Sequence, residues 1–124
     1  IEYALKVLKI PNLIILGHSN CGGVEYSYKK LLDKKNINDF EYINEWTSCL
    51  QNSYNNIPND LPETEKITFF EQENIKQSIK NLREYDFIDK SINENKLNVV
   101  GLWYQINSGL IKFLDNNNSF IDLD

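Results

Sequence analysis

The sequence predicts an α/β domain, a mostly parallel β-sheet flanked by helices, and three observations carry that expectation. Leu13 to Leu16 is an unbroken apolar run between Pro11 and Gly17, too short for an independent helix and typical of a strand buried on both faces of a parallel sheet. "KLNVVGLWYQI", residues 96–106, is a second such run. The stretch between them carries helical patterns, which supply the long crossover that a parallel pairing needs.

Taken in order, Ile1, Ala4, Leu5 and Leu8 recur at helical spacing, and Pro11 ends that helix before the first strand. After "GHSNCGG", Val24, Tyr28, Leu31 and Leu32 mark a second helix ending near "KKN", residues 34–36, and Phe40, Ile43, Thr47, Leu50 and Tyr54 mark a third. "NSYNNIPNDLP" breaks the pattern with Asn and Pro and reads as a surface loop. Ile67, Phe70, Ile75, Ile79 and Leu82 define a fourth helix, and Phe87, Ile88 and Ile92 a short fifth. Beyond the second strand, Leu110 to Leu114, the "DNNNS" turn and "FIDL" read as a terminal hairpin or sheet edge.

At 124 residues the chain is the size of one domain, taken as 1–124, and its 41% hydrophobic content is enough for a core. A net charge of -5 gives no general attraction to nucleic acid or to an anionic membrane, so neither is expected as a partner. Nothing approaches the ~20 apolar residues of a membrane span, and the first residues lack the layout of a secretory signal. Two cysteines make no disulfide framework, and a cytoplasmic protein is expected.

"GHSNCGGV" holds the lone histidine, His18, three positions before Cys21. At the carboxyl end of a strand, His18 stands where open α/β sheets form their ligand crevices. Cys21 falls in the turn that opens the next helix, where N–H groups and the helix dipole favour the thiolate that zinc binds. Gly22 and Gly23 allow the tight approach that places a nitrogen and a sulfur about 2.0 and about 2.3 Å from one ion. The same residues also suit a hydrogen-bonded core histidine and a small buried hydrophobe, and spacing alone does not decide.

Context does. "IEYALKVLKIPNLIILGHSNCGGV" resembles the β-class carbonic anhydrases, and the likeness continues through "INEWTSCLQNSYNN", "FEQENIKQSIKNLREYDFI" and "KLNVVGLWYQINSGLIKFLD" in the family's order. The resemblance implies that His18 and Cys21 are two of the family's three protein ligands to Zn²⁺, and that the reaction is reversible hydration of carbon dioxide to bicarbonate. The family's third ligand is a cysteine in a Cys-x-Asp-x-Arg element on an upstream strand, whose Asp-Arg pair orients the metal-bound water. No such element occurs in these residues. Cys49 is followed by Gln51 and Ser53 where Asp and Arg are required, so it is expected to be a partly buried free thiol on the third helix.

The chain therefore resembles the carboxyl-terminal part of the family pattern, incomplete at its amino terminus. Because residue 1 is Ile, the coding sequence is expected to continue upstream. No catalytic residue is assigned within it, and the isolated chain is not expected to turn over normally. A homo-oligomer, dimer or larger, is expected by the same resemblance. Two other readings stay open: a noncatalytic remnant acting as a folded or oligomerising module, and a relative that hydrolyses carbon disulfide or carbonyl sulfide. Tyr104, Trp46 and Trp103 read as packing or interface residues, and Glu65, Glu71 and Glu73 as the polar face of the fourth helix.

Overall fold

The computed structural model describes residues 1–33 and 40–123. The elements run α1 (Glu2–Lys6), β1 (Asn12–His18), α2 (Gly22–Leu32), α3 (Glu41–Trp46), a 3-10 turn (Thr47–Leu50), α4 (Gln51–Asn55), α5 (Glu63–Leu82), α6 (Asp86–Asn93), β2 (Asn98–Gln105), β3 (Leu110–Leu114) and β4 (Phe120–Asp122). The expected end of the second helix at "KKN" lies outside the described residues.

One four-stranded sheet has the order β1-β2-β3-β4. β1 and β2 are adjacent and parallel, with Asn12 opposite Asn98 and His18 opposite Tyr104. β3 and β4 continue antiparallel, the terminal hairpin read from "FIDL". The α/β class with a helix-flanked sheet is as expected, and its parallel part is the pairing that the crossover allows.

α5 follows its apolar stripe. Pro62 precedes the first turn, where Glu63 and Glu65 complement the dipole, and Phe70, Ile75 and Leu82 fall on the buried side. That side lies on the sheet face carrying Leu13, Ile15 and Val99, which pack with Leu82, Ile88 and Leu97. A second cluster joins Val24, Tyr28, Leu50 and Phe70 between α2, the 3-10 turn and α5. Within it Tyr54 meets Phe70 edge-to-face, with centroids 5.9 Å apart.

Two expectations are corrected. β1 is not buried on both faces: Leu13, Ile15 and Gly17 turn toward α5, whereas Ile14 is 57% and Leu16 63% exposed. The described helices cover only one side of this sheet, and Ile121 shares the open side. The expected third helix is broken into α3, the 3-10 turn and α4. The cause is local. Thr47 Oγ1 donates to Ile43 O at 2.7 Å, Ser48 Oγ to Glu45 O at 2.6 Å and Cys49 Sγ to Trp46 O at 3.3 Å. Three successive side chains thus compete for carbonyls that a continuous α-helix would need.

Candidate metal centre

His18 is the last residue of β1, and Cys21 is the N-cap of α2. Ser19, the first of the two residues between them, is held from the side of the neighbouring strand. Ser19 N–H donates to Tyr104 O at 2.9 Å, extending the β1–β2 ladder by one rung, and Ile106 N–H donates to Ser19 Oγ at 2.9 Å. Asn20 then takes a left-handed φ of 57°, which reverses the chain so that α2 can begin. Cys21 O accepts the first helical bond, from Glu25 N–H at 2.9 Å.

This arrangement fixes how each candidate ligand presents itself. His18 Nδ1 lies 2.9 Å from Ser19 O. A carbonyl oxygen only accepts, so Nδ1 carries the proton and Nε2 keeps its lone pair for a ligand. A metal-binding histidine is commonly oriented by such a bond from its other nitrogen to a carbonyl. Cys21 is a free, half-buried thiol packed beside Val24 and Leu50. An imidazole nitrogen and a thiolate sulfur are the donor types that zinc favours, so these two residues fit the ion as partial ligands. Among the described residues no three His, Cys, Asp or Glu side chains gather closely enough to enclose a metal by themselves.

Below the turn lies a group that sequence reasoning placed wrongly. Glu71, expected on the polar face of its helix, is only 4% exposed. Its Oε1 accepts from Cys21 N–H at 3.1 Å and its Oε2 from Trp103 Nε1 at 3.3 Å. Burial pushes the carboxyl up from the usual carboxylate range, while the N–H groups of Cys21, Trp103 and Asn20 draw it back down. A signal was present: Glu71 follows Phe70 and precedes Ile75 by one turn, which sets it inside the apolar stripe.

Close approach at the end of β1 brings α5 there. A Cβ on Gly17 would stand 2.7 Å from Ile75 Cδ1 and 2.8 Å from its Cγ1. Beside the turn, a cavity of about 160 Å³ is bordered by Cys21, Gly23, Val24, Trp46, Cys49 and Leu50. Cys49 is exposed rather than partly buried, because the 3-10 turn carries it to the surface. Tyr104, read as a packing or interface residue, stands on the open side of the sheet opposite His18. Trp103 is buried as expected, whereas Trp46 is 70% exposed over Gly23.

Known proteins share this sequence pattern and this fold. A family model described as carbonic anhydrase matches residues 1–111. β carbonic anhydrase 3 of Arabidopsis thaliana is 29% identical over 112 residues, which are 88% of this chain and 43% of that protein. The structure of the β-carbonic anhydrase CcaA superposes with a TM-score of 0.83 at 25% identity, over 99% of this chain and 56% of that one. A tetrameric β-carbonic anhydrase of the filamentous ascomycete Sordaria macrospora gives 0.73 at 29% identity, over 91% and 56%. The chain spans about half the length of the relatives it matches.

Proposed function

This chain belongs to the β-carbonic anhydrase family, and on that premise we propose that it is the portion of a zinc enzyme, reversibly hydrating carbon dioxide, that carries His18 and Cys21 as metal ligands. The observation that supports this most is the bond from His18 Nδ1 to Ser19 O, which leaves the Nε2 lone pair free three residues before the thiol of the N-cap residue Cys21. Neither Cys-x-Asp-x-Arg nor a substitute for it occurs in the 124 residues, so the third ligand and the Asp-Arg pair are assigned to sequence outside them. Hydration of carbon dioxide at a normal rate requires that segment.

Zinc, when bound, acts as the Lewis acid that lets water serve as a nucleophile near neutral pH. The chain's own residues orient the ligands. Ser19, tied to Tyr104 and Ile106, holds the carbonyl that sets the imidazole ring, and the first turn of α2 sets the thiol. The protein self-associates through the open side of its sheet, where Ile14 and Leu16 would otherwise face water, in keeping with the tetrameric Sordaria relative.

Metal analysis after dialysis tests the ligand assignment on wild type, Cys21→Ser and Cys49→Ser. The first substitution abolishes zinc retention because an alcohol is a far poorer ligand than a thiolate, and the second leaves it unchanged. Equal zinc loss from both variants would overturn the assignment. Hydration rates are measured on protein that includes the Cys-x-Asp-x-Arg segment. Zinc bound there without carbon dioxide hydration would move the function to carbon disulfide or carbonyl sulfide.

A further inference from the structure

Glu71 is a buried carboxylate with no role in the reading above, and burying such a group is costly unless something requires it. Its surroundings show what it answers to. Cys21 N–H and Trp103 Nε1–H point at its two oxygens at 3.1 and 3.3 Å, and the Asn20 N–H is near enough to draw the carboxyl's pKa down. All three partners are donors, so the position needs an acceptor at both oxygens, which an ionised carboxylate supplies and an amide does not. Two of the donors are consecutive backbone amides, turned to one side by the left-handed Asn20. The third belongs to β2, the strand that pairs with β1.

We propose that Glu71 is a positioning residue for the Cys21 ligand: clamped to β2 through Trp103, its carboxylate holds the amides of Asn20 and Cys21 and so fixes the direction of the Cys21 Cα–Cβ bond. The inference rests on Cys21 being a ligand. α5 is braced for the task, since Ile75, one helical turn beyond Glu71, lies against Gly17 at the end of β1. The carboxylate therefore projects from a support seated on the strand that ends in His18. With Glu71 in place the thiol is aimed before any metal arrives. Without it, Cys21 is restrained only by the first turn of α2.

The test compares wild type with E71Q, E71Q/W103F and E71D by two readouts: zinc affinity, from competition with a chromophoric chelator, and hydrogen exchange at the Asn20 and Cys21 amides without metal. Gln has nearly the volume of Glu but presents an NH₂ to the indole N–H or to the amides. E71Q is therefore expected to bind zinc about 10- to 100-fold more weakly, the usual cost of losing a group that orients a ligand. Amide protection at Cys21 falls with it. W103F removes the opposing donor, so E71Q/W103F recovers part of the affinity, which a space-filling role for Glu71 would not produce. E71D keeps the charge but draws the oxygens back, and binds at least threefold more weakly than wild type; it decides the matter if E71Q does not fold. Wild-type zinc affinity together with wild-type amide protection in a folded variant would overturn the inference. Failure of the wild type to bind zinc would instead refute the ligand reading, and the amide exchange would still decide whether Glu71 holds the turn.

Discussion

Gly17→Ala should destabilise the protein by about 2 kcal/mol, through overpacking at one identifiable contact. The new Cβ would lie 2.7 and 2.8 Å from two carbons of Ile75, where ordinary carbon contacts are about 3.5 to 4.0 Å, so a gap of about 1 Å must open. Ile75 cannot simply yield. It is 2% exposed, so the close-packed core around it leaves its side chain no solvent to swing into. α5 must therefore lift from the end of β1. Equilibrium urea unfolding measures this: with a slope of about 2 kcal/mol per molar, the midpoint falls by about 1 M. In an Ile75→Ala background, which is itself costly, the same glycine substitution should add close to nothing, giving a coupling of about 2 kcal/mol between the two sites. Gly23→Ala is the control. Its Cβ would meet the Trp46 ring at 3.1 and 3.3 Å, but that ring is largely in water and can swing, so the change should stay within about 0.5 kcal/mol. A Gly17→Ala protein as stable as wild type, or an equal cost in the Ile75→Ala background, would refute the reasoning.

Further outcomes concern pH and association. Burial and its hydrogen bond to Glu63 push the Tyr28 hydroxyl up to about 12. Because the unfolded phenol ionises near 10, the stabilisation is fully present below about pH 10 and is lost as pH rises through about 12. Tyr28→Phe should flatten this alkaline fall in unfolding free energy, and an unchanged pH profile would contradict the assignment. Leu16→Lys places a charge on the open side of the sheet and should shift sedimentation toward smaller species at micromolar concentration; a wild-type distribution would count against association through that face.

Where one physical signal dominated, the sequence was legible. α5 follows from the 3.6-residue period of Phe70, Ile75 and Leu82, and β2 from its apolar run. The first strand was placed but its surroundings were not, since an apolar run shows that a face avoids water without showing what covers it. The break after Trp46 escaped because the apolar spacing continues through Thr47 and Leu50, while side-chain donors to the backbone decide the local helix type. His18 and Cys21 were singled out through the family resemblance, since their spacing alone does not decide, and the proton on Nδ1 follows only from the position of Ser19 O. Glu71 looked like one of several helix carboxylates because its residue type outweighed its position, which lies inside the apolar stripe between Phe70 and Ile75.

The double attachment of Ser19 has a mechanical consequence. Its amide is bonded to Tyr104 and its hydroxyl to Ile106, so the ligand turn and the tight 105–109 turn that opens β3 move as one body. That second turn is closed by Gly109 N–H donating to Gln105 O at 2.8 Å, and Gln105 and Leu110 form the rung beside it. A push on the β2–β3 hairpin would reach the imidazole through these two bonds and the Ser19 carbonyl. A molecule seated against Leu110 or Ile106, both of which face solvent, would bear on Ser19 and so on the ring of His18 like a hand on the long arm of a lever, without coming near the imidazole.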